Sequence, residues 1–91
     1  MIVPDLNLLI YAVHRESPEH ERAREWLDAV MTGDEPVGLP WVVLLGFIRL
    51  TTSPRVMQRP WSVRDAAGLI DTWLRRPCVS LIHPSDRHWD I

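Results

Sequence analysis

The sequence predicts an α/β domain in which short parallel strands alternate with pairs of helices. Short apolar stretches of strand length occur near the start, middle and end of the chain. Between them, apolar residues recur at the helical spacing of about 3.6 residues. The order strand, two helices, strand, two helices, strand is the alternation that builds a three-layer α/β/α sandwich around a central parallel sheet. With 91 residues, the chain is long enough for one small domain.

Composition restricts the class of protein without identifying its function. The formal net charge is -2, so no overall basic character indicates nucleic-acid binding, although charge can still be concentrated on one face. Cys78 is the only cysteine, which excludes an internal disulfide and fits a reducing compartment. The longest apolar run, residues 39–47, is too short to span a bilayer, and the first residues lack the basic region of a signal peptide. We therefore expect a cytoplasmic protein with no membrane contact.

The first element is a very short apolar strand at residues 2–3, followed by Asp5 and a helix. The helix is indicated by four apolar residues at helical spacing: Leu6, Leu9, Ile10 and Val13. We expect this strand to lie in the middle of the sheet, which puts Asp5 at its carboxyl end, where open α/β sheets bind their ligands.

Asp5 has two competing interpretations. A lone carboxylate at the end of a strand suggests a metal ligand, whereas Asp is also a preferred helix N-cap. The two roles are compatible, because one oxygen can accept a backbone N–H while the other faces a cation. The positive end of the helix dipole would weaken cation binding there.

The second helix is predicted to start with Ser17 as N-cap and Pro18 at the first helical position. Its buried stripe comprises five apolar residues: Ala23, Trp26, Leu27, Val30 and Met31. Residues 36–40 are short, apolar and bracketed by prolines, which predicts a brief strand.

The third helix is predicted over residues 41–50. It is apolar on every face except at Arg49, so we expect it to be nearly surrounded by protein. Residues 51–54 end it, and a polar connection containing Arg55 and Arg59 follows.

The fourth helix is predicted to begin after Ser62, the N-cap of a capping box with Asp65, and to end before Pro77. Residues 79–82 then form a buried strand. Ser85 or Asp86 could cap a further helix containing Trp89, of which only the first turn is present. Three short strands leave a sheet edge and apolar faces uncovered, so we expect a domain that is incomplete at its carboxyl end or completed by a partner.

Few other side chains indicate chemistry. Asn7 could bind water or a phosphate oxygen, or be a neutral residue of the first helical turn. Arg49, Arg55 and Arg59 could contact a phosphate backbone, or belong to a solvated surface. The four histidines have no spacing typical of a zinc site.

Three stretches, residues 2–12, 39–56 and 77–89, resemble the PIN-domain ribonucleases of the VapC type, the toxins of bacterial toxin–antitoxin pairs. The most specific segments are the opening Val-x-Asp-x-Asn pattern at residues 3–7 and the Thr-Ser-Pro-Arg-Val segment at residues 52–56. The resemblance extends along the whole chain in one collinear order.

The resemblance implies a PIN-like α/β/α fold and an endoribonuclease that hydrolyses RNA phosphodiester bonds. It also implies an acidic cluster that holds Mg²⁺, or alternatively Mn²⁺, to activate water. Asp5 matches the first metal-binding acid of the family, and Asn7 matches the small polar residue that commonly follows it. The implied partners are RNA, a VapB-type antitoxin and a second copy of the toxin.

Two departures from the family pattern limit this expectation. Gly46 stands where many relatives carry a glutamate, and the remaining family acids lie beyond the point where this chain ends. We therefore expect residues 1–91 to form a single, truncated PIN-like domain that does not cleave RNA by itself.

Two alternatives remain. The first is a catalytically degenerate PIN-like module that serves only in antitoxin binding or dimerisation. The second is phosphotransfer through an aspartyl-phosphate at Asp5, which needs a second acid where Asn7 and Leu8 stand.

Overall fold

A computed structural model describes residues 1–83 and confirms the predicted α/β class. In chain order the elements are α1 (Leu6–Val13), α2 (His20–Met31), β1 (Val37–Pro40), α3 (Trp41–Thr51), α4 (Val63–Leu74) and β2 (Val79–Ile82). Apart from the first strand and the predicted start of α2, the element boundaries agree with the sequence-based ones to within about two residues. The predicted helix capped by Ser85 or Asp86 lies outside the described residues.

The sheet is parallel, as predicted. β1 and β2 pair in a register that joins Val37 to Val79 and Pro40 to Ile82. Gly38 allows two side chains to cover β1 closely, since a Cβ at this position would lie 2.5 Å from a methyl carbon of Ile82 and 2.6 Å from the sulfur of Met1.

The first strand is reduced to a single parallel bridge between Ile2 and Val37. The Ile2 N–H donates to the Pro36 carbonyl and the Gly38 N–H donates to the Ile2 carbonyl, both at 2.8 Å. Pro4 has no N–H to donate, so the ladder cannot continue past this point. Within residues 1–83, β1 therefore lies between the first segment and β2, and the central position of the first strand in the complete sheet stays a prediction.

Helix α2 begins at His20, so the predicted start at Ser17 and Pro18 is wrong. The Ser17 hydroxyl accepts from the Glu19 N–H at 3.2 Å and donates to the Glu19 carboxylate at 2.7 Å. These bonds stabilise a local turn ahead of the helix, which is the competing use of a serine side chain. Ser17 therefore caps a turn instead of α2.

The core is centred on α3. Phe47 is fully buried and its ring meets Trp61 and Trp73 edge-on, with ring centroids 6.5 and 5.1 Å apart. The opposite face of α3 is open within residues 1–83, where Val42 is 60% exposed and Leu45 is 48% exposed. The expectation of a nearly surrounded helix is wrong for this face of the described domain.

Helix α4 has the predicted N-cap, since the Ser62 hydroxyl accepts from the Asp65 N–H at 3.0 Å. β2 is less buried than expected, because only Val79 is buried. The Cys78 thiol is half-buried and lies 3.4 Å from the Met31 carbonyl oxygen, which joins the start of β2 to the end of α2. Among residues 1–83 no helix is long and apolar enough to cross a membrane.

Candidate functional site

The carboxyl ends of the parallel segments meet at one edge of the sheet. The Ile2 bridge and the β1–β2 pairing are both parallel, so all three segments run in the same direction. Asp5 follows the first segment, Trp41 follows β1 and His83 follows β2. This is the edge at which open α/β sheets bind their ligands.

Asp5 is an exposed side chain between two anchored neighbours. Pro4, on one side, is fully buried, and Leu6, on the other, packs against α3. The Asp5 Oδ1 accepts a hydrogen bond from the Leu8 N–H at 2.9 Å, so the predicted N-cap is confirmed. Hydrogen bonds within residues 1–83 engage this oxygen only. No group within residues 1–83 occupies the second carboxylate oxygen, so it is available to a ligand.

The described residues fit a divalent cation only in part. The Asp5 carboxylate is the hard oxygen donor that Mg²⁺ prefers. No group of three or more His, Cys, Asp or Glu side chains that could hold a metal occurs within residues 1–83. Gly46 adds no donor, and Leu6 occupies the space beside it. A cation site containing Asp5 would therefore need further donors from outside residues 1–83.

Asn7 is the second residue of α1 and is exposed. Its side chain makes no hydrogen bond within residues 1–83. The structure leaves it accessible to water or phosphate, and its role stays a prediction.

Arg49, Arg55 and Arg59, here called the arginine trio, are all exposed. Arg49 lies in the last turn of α3, three residues beyond Gly46, and the other two lie in the connection to α4. This connection is held in place by the buried side chain of Met57.

The arginine trio makes no ion pair with residues 1–83. Four other exposed arginines in this part of the chain, Arg15, Arg22, Arg64 and Arg76, are also unpaired, whereas Arg24 in α2 and Arg75 just after α4 pair with carboxylates. Unpaired guanidinium groups are free to bind phosphate without first losing a partner. The lack of ion pairs agrees with the predicted contact between the arginine trio and a phosphate backbone, but it does not test that contact.

The charged face of α2 carries a separate network. The Arg24 guanidinium donates to Glu21 at 2.6 Å and to Asp28 at 3.2 Å. The hydrogen bond and the charge of Arg24 lower the pKa of Glu21, and those of Glu21 raise the pKa of Arg24. Both residues are solvent-exposed, so this network belongs to the surface of α2 and not to the Asp5 edge.

A groove of about 770 Å³ lies between α1 and α2 and was not predicted. Its apolar lining includes Leu8, Tyr11, Ala23 and Trp26, and Asp5 is not part of it. Helical spacing assigned Trp26 to the buried stripe, but this side chain is 40% exposed. Periodicity gives the direction of a side chain and cannot show whether another element covers it.

Comparisons with known proteins identify relatives along the whole chain. Ribonuclease VapC33 of Mycobacterium tuberculosis is 42% identical over 91 residues, which is 100% of this chain and 64% of that protein. Ribonuclease VapC37 of the same organism is 38% identical over 91 residues and is covered to 63% of its length. Ribonuclease VapC43, also from this organism, is 40% identical over 89 residues, which is 98% of this chain and 60% of that protein.

The chain thus spans less than two thirds of the length of these curated relatives. No model of a known protein family matches it.

Proposed function

Because the chain is homologous over its whole length to VapC ribonucleases, we propose that the complete protein is the toxin of a toxin–antitoxin pair and cleaves RNA internally. This homology and the α/β architecture together support the PIN fold predicted from the sequence. We further propose that residues 1–91 belong to a single PIN-like domain.

The proposed chemistry of RNA cleavage rests on Asp5. Its carboxylate lies at the carboxyl ends of the parallel segments, the edge at which open α/β sheets bind their ligands, is exposed and has one oxygen unused within residues 1–83. We propose that it is the first of several acids that hold Mg²⁺ or Mn²⁺. Such a cation, when bound, would activate water and neutralise charge on the phosphate.

The other site residues would act on the RNA. Asn7 would hydrogen-bond to a water molecule or a phosphate oxygen, and the arginine trio would contact the backbone. These roles are supported by the exposure of the four side chains and by their lack of ion-pair partners within residues 1–83.

The proposal includes partners and location. By its homology to proteins named VapC, the complete protein would bind a VapB-type antitoxin. The open face of α3 and the groove between α1 and α2 offer apolar surface for contacts with the antitoxin or with a second copy. The free thiol of Cys78 is compatible with a cytoplasmic location.

The test is cleavage of a structured RNA by the complete gene product, with Mg²⁺ or Mn²⁺ and with EDTA. Wild type should cleave with either cation and lose activity in EDTA, and Asp5→Asn should be inactive throughout. Cleavage by Asp5→Asn at the wild-type rate would refute the role of Asp5. Antitoxin binding without cleavage by wild type in any cation would instead support a degenerate binding module.

A further inference from the structure

A cavity of about 410 Å³ lies where the connection after α3 enters α4. Its volume falls within the range of about 300–1,000 Å³ that is typical of ligand pockets. The cavity shares no residue with the groove between α1 and α2. Its wall is formed by five residues: Arg59, Pro60, Trp61, Ser62 and Asp65.

Contacts with the core and with α4 hold this wall in place. The Trp61 ring meets the fully buried ring of Phe47 edge-on, with ring centroids 6.5 Å apart. The Trp61 N–H donates to the Thr51 carbonyl at 2.8 Å, which closes the connection at its base. The Ser62 hydroxyl accepts from the Asp65 N–H at 3.0 Å. The cavity is therefore preformed, and a ligand would not have to order its wall.

Two opposite charges line the cavity and make no ion pair with each other. Neither Arg59 nor Asp65 pairs with any other group within residues 1–83. In a complete capping box the Asp65 side chain would accept from the Ser62 N–H, but this second bond does not form. An ionised carboxylate can only accept hydrogen bonds, so the Asp65 carboxylate is available to N–H donors of a ligand.

We infer that this cavity binds an unpaired guanine base of the RNA. The Trp61 ring offers a stacking surface, which is how proteins commonly hold an unpaired base. Guanine presents two adjacent N–H donors, N1–H and N2–H, on its Watson–Crick edge, and these match the two oxygens of Asp65. Arg59 would contact the phosphate of the bound nucleotide. The inference rests on the proposed function for the choice of RNA as ligand, but binding can be measured without cleavage.

The experiment measures binding of the complete gene product to two short RNAs, UUGUU and UUAUU, in EDTA. Wild type should bind UUGUU about tenfold more tightly, a factor typical of one bidentate contact to a base. Trp61→Leu should weaken binding of UUGUU about tenfold, because it removes the stacking surface and keeps an apolar side chain. Trp26→Leu, in the groove between α1 and α2, is the matched control and should bind like wild type.

Two exposed residues of the cavity separate base recognition from charge. Asp65→Asn should reduce the preference for UUGUU to less than about twofold, because an amide has only one acceptor oxygen. Asp71→Asn makes the same change of charge in α4 outside the cavity and should retain the preference. Arg59→Ala should weaken binding of both RNAs equally, since a phosphate contact carries no sequence information. These variants provide the test if Trp61→Leu does not fold.

Equal or undetectable binding of the two RNAs by wild type would overturn the inference. A preference for UUGUU that survives in Asp65→Asn, or unchanged binding by a folded Trp61→Leu, would overturn it as well. A complete protein that cleaves no RNA in Mg²⁺ or Mn²⁺ would instead refute the proposed ribonuclease. The preference measured in EDTA would still decide whether the cavity binds guanine.

Discussion

Asp5 is both a helix cap and the proposed metal ligand, and two substitutions separate these roles. Asp5→Ala removes the exposed 2.9 Å bond to the Leu8 N–H. Loss of such an N-cap costs about 1 kcal/mol of stability, in line with the net worth of one hydrogen bond. Asp5→Asn keeps an oxygen that can accept the bond, so its free energy of unfolding should stay within about 0.5 kcal/mol of wild type. Both variants should lose RNA cleavage.

The assay combines urea unfolding with RNA cleavage by the complete protein. Ser62→Ala is the matched control, because Ser62 makes the corresponding cap bond at 3.0 Å at the start of α4. It should lose about 1 kcal/mol and retain cleavage. Asp5→Asn with wild-type cleavage would show that Asp5 is only a cap, and Asp5→Ala with wild-type stability would refute the capping energy.

Three further predictions concern the core, the charged surface and RNA binding. In urea unfolding, Phe47→Ala should lower the free energy of unfolding by about 3–5 kcal/mol, because Phe47 is fully buried. Val42→Ala, on the open face of the same helix, should change it by less than about 0.5 kcal/mol. Arg24→Ala should return the pKa of Glu21 upward toward its ordinary value in an NMR titration. Since the folded pKa of Glu21 is lowered, its small contribution to stability is present above the unfolded pKa and is lost as the pH falls through the folded value. The last prediction concerns the slope of log affinity for single-stranded RNA against log salt concentration. Replacing any one member of the arginine trio by alanine should reduce the magnitude of this slope by about 0.7. Arg75→Ala, which removes a paired arginine, should leave the slope nearly unchanged.

Much of the fold could be predicted from local signals. Asp5 and Ser62 were identified as caps because their side chains satisfy nearby N–H groups, which depends only on sequence neighbours. The spacing of apolar residues predicted the helices, because this spacing also depends only on sequence neighbours. The N-cap preference failed at Ser17, where two local hydrogen-bonding patterns compete and the turn with Glu19 forms instead.

The errors concern relations between distant segments. Strand order depends on the whole sheet, so the central position expected for the first strand stays a prediction; within residues 1–83 the first segment pairs with β1 on one side. It could not show that Trp26 and Val42 remain exposed, since apolar spacing does not identify what covers a face.

The candidate site was predicted in part. The strand-to-helix position of Asp5 predicted that it lies at the carboxyl ends of the parallel segments, which the structure confirms, whereas ligand binding at this edge stays a prediction. The contact between Gly46 and Leu6 joins residues 40 positions apart in the chain, and no local pattern signals such a contact.

The most direct test of the central claim is Mn²⁺ binding to the complete protein, followed by electron paramagnetic resonance of free Mn²⁺. The account predicts that wild type removes Mn²⁺ from solution and that Asp5→Asn, with its cap intact, binds at least about tenfold more weakly. Equal binding by the two proteins would contradict the claim that the Asp5 carboxylate holds the catalytic cation.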